Sequence, residues 1–220
     1  MTRQAPPAID MVPRFTVLPT GTALWRCHRS RYGATGFKDV MAHTHFGGSR
    51  FDSTAEDPYP YLYATREPAT ALAEVLLRSM EFDAVSGHRL VPWAQASRYT
   101  LTEVVTTADL PLISLRAEED LAAVCQTSWL LDCEPDDYSR TRYWAQELRR
   151  QSAEARGLLW QSRRHRPREA LVLFGDRCGP KPVLAETGVR HDLATFAGVD
   201  AANRLLAPLR AAIVPPLPAD

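Results

Sequence analysis

The chain has 220 residues, 45% of them hydrophobic and 24% charged, and its 26 basic and 26 acidic side chains give a formal net charge of zero. This composition is typical of a globular protein that buries a core without disulfides or a structural metal. The charge balance argues against a broad nucleic-acid-binding surface, and no apolar stretch approaches the ~20 residues of a membrane-spanning helix.

The N-terminal sequence MTRQAPPAIDMVPRF contains no apolar run of the kind that forms a signal peptide. Scattered cysteines without a CxxC pair are typical of reduced thiols, and this chain has Cys27, Cys125, Cys133 and Cys178. We therefore expect a cytoplasmic protein. We expect residues 1–13 and 215–220 to be loose tails, and the chain length predicts a single domain over 1–220.

Short strands dominate the first half of the chain. Residues 14–27 predict two strands around a Pro-Thr-Gly turn, and residues 28–47 predict a long loop punctuated by glycines. Two further strands are expected at 49–52 and 60–65. A helix follows from about 68 to 80, with a proline in its first turn, where the missing N–H costs nothing.

The second half mixes helices with apolar strands. A strand at 97–105 and helices at 117–125 and 139–155 are expected first. Two buried strands and one long C-terminal helix then complete the chain. They are predicted at 157–161, 170–174 and about 192–213. The pattern indicates an α+β fold in which strands outnumber helices in the first half.

One carboxylate, Glu74, lies within an otherwise apolar helical segment, ATALAEVLL. Its helical neighbours allow either an exposed ion pair with Arg78 at i,i+4 or a position facing inward. The local pattern supports the two alternatives equally. The preceding strands carry an arginine and a tyrosine, and a strand–strand–helix arrangement can bring all three side chains to one cleft.

The residues before this helix suit ligand contact. Arg50 follows the small residues GGS, where a ligand can approach the backbone closely, and a guanidinium is suited to bidentate phosphate contact. The alternative is an ion pair with Asp52 or Glu56. We expect Tyr61 and Tyr63 to point to opposite faces of their strand, one into the core and the other offering a ring and a hydroxyl to a site.

Ser162 ends a buried strand and begins a basic turn, Arg163-Arg164-His165-Arg166, which either binds phosphate or is a solvated loop. His43 and His45 have a spacing that suits two ligands on one side of a strand, but no third ligand accompanies them. We therefore expect no metal, and a metal hydrolase is the most distant alternative. The motifs of serine hydrolases, P-loop proteins and dinucleotide-binding Rossmann folds are absent.

The fragments GGSRFD, YLYAT, TALAEV and GLLWQSRRHR…LVLF, in this order, resemble the RES-domain family over about residues 22–175. The chain departs from the family pattern where Ser49 separates the glycine pair from the arginine. Arg26 resembles a second family arginine on the first strand. The other positions of the family pattern fall at Arg50, Tyr63, Glu74 and Ser162.

The resemblance implies an ADP-ribosyltransferase-like mixed fold with a strand-rich core and peripheral helices. It also implies a toxin that cleaves the nicotinamide–ribose bond of NAD, by hydrolysis or phosphorolysis, and that is blocked by an Xre-type antitoxin. In this interpretation Glu74 stabilises the oxocarbenium-like ribose, Ser162 fixes orientation, and the other residues bind substrate. The resemblance thus implies that the catalytic residues are Glu74, Tyr63, Arg50 and Ser162, and that the substrate-binding residues are Arg26, Arg50 and Tyr63.

Two alternatives remain open from the sequence. One is an ADP-ribosyltransferase that modifies a protein or small-molecule target, and the other is a partner-binding module that keeps the fold without activity. Residues 176–220 lie outside the resemblance. We expect them either to cover the core or to form an oligomer contact, such as a homodimer.

Overall fold

The structure is a computed structural model that describes residues 10–215. Ten strands and six α-helices lie in this part of the chain. The strands are β1 (Phe15–Leu18), β2 (Ala23–Arg29), β3 (Tyr61–Thr65), β4 (Arg89–Pro92), β5 (Tyr99–Thr106), β6 (Leu110–Leu115), β7 (Gly157–Gln161), β8 (Glu169–Phe174), β9 (Leu184–Asp192) and β10 (Ala211–Val214). The helices are α1 (Pro68–Leu76), α2 (Trp93–Ala96), α3 (Glu118–Ala123), α4 (Trp129–Asp132), α5 (Tyr138–Gln151) and α6 (Phe196–Leu206).

Eight strands form one sheet in the order β1-β6-β7-β8-β3-β2-β5-β9, and β10 pairs with β4 in a small second sheet. Neighbours in the large sheet are antiparallel except for β6 and β7, which run parallel. The central strands β7 and β8 are buried on both faces, because helices cover one side and loops with further apolar residues cover the other. This explains why their sequences are continuous apolar runs.

Helix α1 begins at Pro68, as predicted, and ends at Leu76 rather than near residue 80. Its buried face packs against β2, β5 and α6 in one apolar cluster that includes Leu72, Leu101 and Leu206. Glu74 lies outside this face and is only half-buried. The Glu74 carboxylate therefore lies next to the buried face of α1, on the side of the helix that faces the β7–β8 turn.

The prediction of a strand at 49–52 was wrong, because this segment is a turn. Gly47 and Gly48 precede it with φ of +58° and +73°, a left-handed conformation that breaks an extended ladder and that glycine adopts without strain. Arg50 is nevertheless buried, with 7% of its surface exposed.

The prediction of one long helix at 192–213 was also wrong. The Thr195 hydroxyl accepts the Gly198 N–H at 3.1 Å and so caps the start of α6. Arg210, at φ +50°, ends the segment in the left-handed region before β10. Residues 176–215 therefore contribute a sheet-edge strand, a helix over the α1 cluster and a second small-sheet strand, and they cover part of the core.

Residues 10–13 were expected to be loose, but Met11 is buried and its N–H donates to the Gln151 side chain at 2.7 Å. The remainder of the expected tails, residues 1–9 and 216–220, lies outside the described residues. Within residues 10–215, no helix is both long and apolar enough to cross a membrane. All four cysteines are free thiols.

Candidate active site

Glu74 and Ser162 are brought together by the packing of the β7–β8 turn against α1. The Ser162 hydroxyl, which is fully buried, donates to a Glu74 carboxylate oxygen at 2.5 Å. The same hydroxyl oxygen accepts the backbone N–H groups of Arg164 at 3.2 Å and His165 at 3.1 Å. Because these N–H groups occupy the oxygen's acceptor positions, the hydroxyl proton is directed at the carboxylate. Glu74 is thereby held in one orientation.

A second hydrogen bond docks the same turn on α1. The His165 ring nitrogen Nδ1 lies 2.9 Å from the hydroxyl of Thr70, which is fully buried one helical turn before Glu74. Burial lowers the pKa of His165 and so favours its neutral form. Sequence analysis did not identify this pair. The signal for it is the i,i+4 spacing of Thr70 and Glu74, which places both on one helix face.

Arg50 and Arg78 share one aromatic ring. Their guanidinium carbons lie 5.1 Å and 5.0 Å from the ring centroid of Tyr138, the first residue of α5. Neither arginine forms an ion pair with a carboxylate of residues 10–215, and Arg50 Nε has no hydrogen-bond partner there. A buried cation such as Arg50 is stabilised by an anion that completes its hydrogen bonds.

The carboxylates that were expected to pair with these arginines bond elsewhere. Asp52 accepts the Ser49 N–H and the Tyr63 hydroxyl and lies 3.7 Å from Lys38 Nζ. Glu56 accepts the Thr44 hydroxyl. Arg78 does not pair with Glu74, since it donates to the Gly48 carbonyl at 3.0 Å and the Ser49 hydroxyl at 3.2 Å.

The basic turn (residues 163–166) is divided between two roles. Arg163 pairs with Glu134 and donates to the Cys133 carbonyl, and Arg166 pairs with Asp132. Arg164 forms no ion pair within the described chain. Its pKa is lowered, first by burial and then by Arg163, and Glu74 and Tyr138 both act on it in the opposite direction. Within the described residues Arg164 is therefore a cation without an ion pair, on which both Glu74 and Tyr138 act electrostatically.

Tyr61 and Tyr63 point to the same face of β3, so the prediction of opposite faces was wrong. Residues two apart on a strand share a face, and the two ring centroids are 5.9 Å apart. The Tyr63 hydroxyl donates to Asp52 at 3.0 Å and accepts the Phe51 N–H at 3.0 Å. Burial and then Asp52 raise the pKa of Tyr63 well above its ordinary value. Its hydroxyl therefore holds the turn that carries Arg50.

Arg26 binds backbone carbonyls on β3 and in the loop after β2. Its Nε donates to the Tyr63 carbonyl at 3.1 Å, and Nη1 donates to the carbonyls of Ala34 and Gly36. Burial lowers the pKa of Arg26 to about 10. The described contacts of this guanidinium are thus with backbone carbonyls, and they join β3 to the loop after β2.

The two loop histidines, His43 and His45, contact each other, with the His45 N–H donating to His43 Nδ1 at 3.1 Å and ring centroids 6.1 Å apart. Within residues 10–215, no group of three or more His, Cys, Asp or Glu side chains is placed to hold a metal ion. Two open surface concavities of the described residues, each of about 500 Å³, are lined by residues other than Glu74 and Arg50.

Comparisons with known proteins identify the family of the chain and a solved structure with a similar fold. A family model described as the RES domain matches residues 23–196, extending past the expected limit of 175 through β9. The curated proteins contain no match. A chain of the crystal structure of the M. tuberculosis MbcT–MbcA toxin–antitoxin complex superposes with a TM-score of 0.58 at 14% identity, covering 87% of this chain and 92% of that one. The expected ADP-ribosyltransferase-like mixed fold, strand-rich with peripheral helices, is confirmed.

Proposed function

The chain belongs to the RES domain family, and from this premise we propose that it is a toxin-like enzyme that cleaves the nicotinamide–ribose bond of NAD. The acceptor is water or phosphate. Two observations carry the proposal: the Ser162 hydroxyl orients one carboxylate, Glu74, on α1, and Arg78, four residues further on, shares the Tyr138 ring with Arg50, neither arginine being paired with a carboxylate of the described chain.

Cleavage of the nicotinamide–ribose bond needs a fixed negative charge of the kind that Glu74 provides. Loss of nicotinamide develops positive charge on the ribose, and a fixed carboxylate stabilises that charge without reorganising during the reaction. Glu74 has this role in the proposal, and Ser162 fixes its orientation through the 2.5 Å hydrogen bond. In the proposal the diphosphate of NAD is the counter-ion of Arg50 and Arg78, which pair with no carboxylate of the described chain. Arg164, which also forms no ion pair there, is a third candidate for this contact.

In the proposal Tyr63 and Arg26 position the site by hydrogen bonding to backbone groups of neighbouring residues. Tyr63 packs its ring in the site wall 6.3 Å from Trp160, while its hydroxyl holds the turn that carries Arg50. Arg26 in turn holds the Tyr63 carbonyl. We also propose that the Tyr63 ring contacts nicotinamide or ribose. Arg26 is proposed to contact the substrate as well.

We propose the antitoxin partner that the resemblance implies and the cytoplasmic setting that the N-terminal sequence and the cysteines predict. The solved structural neighbour is a chain of a toxin–antitoxin complex, which supports an antitoxin protein, of Xre type, as the partner of this chain. The proposed setting is the cytoplasm, where NAD is available to a toxin. The chain is proposed to act as a single RES-like domain over 1–220, without a metal.

The test is nicotinamide release from NAD by the purified protein, followed by chromatography with and without phosphate. We expect release, with ADP-ribose as product if water is the acceptor and its phosphate ester if phosphate is. A labelled protein or small molecule in place of these products would indicate ADP-ribosyl transfer. Absence of release, together with no rise in melting temperature at millimolar NAD, would contradict the proposal and favour a partner-binding module.

Replacement of Arg50 by Ala is expected to weaken NAD binding by about 10- to 100-fold, which corresponds to the loss of charge-assisted hydrogen bonds worth about 1.5–3 kcal/mol. Titration calorimetry on the Glu74→Gln protein measures this affinity without turnover. Arg204→Ala is the matched control, because Arg204 is exposed and pairs with Asp200 on α6. Unaltered affinity in the Arg50 variant would assign the phosphate contact to Arg78 or Arg164 instead.

A further inference from the structure

Arg142, on α5, is a buried cation that binds backbone carbonyls in place of a carboxylate. Only 3% of its surface is exposed. Its Nη1 donates to the Gly47 carbonyl at 2.9 Å and its Nη2 donates to the His43 carbonyl at 2.9 Å. Longer contacts, each of 3.4 Å, reach the carbonyls of Thr44 and Ser49. All four acceptors lie in one segment, the glycine loop (residues 43–49).

The carbonyls of the glycine loop have few other partners. Gly47 and Gly48 are left-handed, and among these four carbonyls only that of Ser49 accepts a backbone N–H of the described residues, from Asp52 at 3.5 Å. A Cβ added at Gly48 would lie 2.8 Å from Ala42 Cβ and 3.3 Å from Arg142 Nη1, so the loop packs directly against the guanidinium. Carbonyl dipoles that converge repel one another unless a donor lies among them, and the buried Arg142 guanidinium is that donor here.

The glycine loop leads directly into the arginine pair of the site. Arg50 follows it in sequence, and Arg78 donates to the carbonyl and hydroxyl of its last two residues, Gly48 and Ser49. The neighbour of Arg142 on α5, Thr141, donates to the Arg50 carbonyl at 2.7 Å. Tyr138, one turn earlier on the same face, supplies the ring that both guanidiniums contact.

We propose that Arg142 is a positioning residue of the dinucleotide site. By binding the carbonyls of His43 and Gly47 it holds the glycine loop in the one conformation that presents Arg50 and Arg78 together toward the substrate's diphosphate. This inference rests on the proposed function. The planar fork of the guanidinium is essential to the role, because it reaches two separated carbonyls at once, whereas a lysine ammonium is a single point donor.

The test compares Arg142→Lys and Arg142→Met with Arg140→Met, a control at an exposed position of the same helix. We expect Arg142→Met to raise KM for NAD by about tenfold or more with kcat little changed, because uniform binding of the substrate is lost. Arg142→Lys is expected to give a smaller rise in KM, and Arg140→Met none. A residue that only stabilises the fold would instead lower the folded fraction, and with it the apparent kcat, at constant KM.

Binding of inorganic pyrophosphate, measured by calorimetry, keeps the proposal separate from turnover. If wild-type protein binds pyrophosphate and the Arg142→Lys protein binds it at least about fivefold more weakly, the positioning role stands even if NAD is not cleaved. If the Arg142→Met protein fails to fold, KM for NAD and the affinity for pyrophosphate are both compared between the Arg142→Lys protein and the wild type. Unchanged KM together with unchanged pyrophosphate affinity in the folded variant overturns the proposal, whatever the turnover.

Discussion

Replacement of Glu74 by Gln is expected to slow nicotinamide release by about 10²- to 10³-fold, the usual loss when one preorganised electrostatic group is removed from a transition state. Glutamine has the same shape, and its amide oxygen still accepts the Ser162 hydroxyl, so the turn remains docked on α1. Only the negative charge is lost. The effect is therefore expected in kcat, with little change in KM.

The measurement is the steady-state rate of nicotinamide release, with the melting temperature of each protein as a check on folding. Glu81→Gln is the matched control, since Glu81 is an exposed carboxylate shortly after the same helix. We expect the control to retain full activity. If the Glu74→Gln protein turned over NAD at the wild-type rate, the Glu74 charge would have no part in the mechanism. The hydrogen bond from Ser162 would then have only a structural role.

Replacement of Arg149 by Met is expected to destabilise the fold by about 3 kcal/mol, the lower end of the range for removing one partner of a buried ion pair. Arg149 is 4% exposed and joins Asp57 at 2.7 Å and Asp176 at 2.9 Å. Its guanidinium carbon lies 3.7 Å from the Tyr59 ring centroid. Burial acts to lower the pKa of Arg149, but the hydrogen bonds to Asp176 and Asp57 raise it above its ordinary value.

The lower end of the range applies because both carboxylates keep access to water, with 23% and 38% of their side chains exposed. Urea unfolding measures the change in the free energy of unfolding. Arg204→Met removes an exposed i,i+4 pair with Asp200 and is expected to cost less than about 0.5 kcal/mol. Equal destabilisation by the two substitutions would show that burial of Arg149 contributes nothing.

The elements that sequence analysis predicted correctly are those with a strong local signal. A proline begins α1, and uninterrupted apolar runs mark β7 and β8. The prediction at 192–213 failed because apolar residues at near-helical spacing continue across a helix cap at Thr195 and a left-handed turn at Arg210. The prediction that Tyr61 and Tyr63 point to opposite faces was wrong because side chains two residues apart on a strand lie on the same face.

The candidate site was predictable only where its residues lie in the fragments that resemble the family. Glu74 and Ser162, 88 residues apart, meet as the family order implied. The contribution of α5 was not foreseen, because Tyr138 and Arg142 look like the solvated face of an arginine-rich helix. Thr141 contacts Arg50 across 91 residues of sequence, and a contact of that range leaves no periodic signal in a single chain.

Helix α5 serves two regions of the molecule from opposite ends. Its first turns contact the arginine pair and the glycine loop, and its last turn binds Asp57 and Asp176. Arg142 and Arg149 are seven positions apart on the helix, a rise of about 10 Å, and at such distances the effects of substitutions are usually additive. Affinity for the proposed substrate and persistence of the folded state can thus be adjusted independently on one continuous segment, which makes α5 a natural place to weaken ligand binding without unfolding the domain.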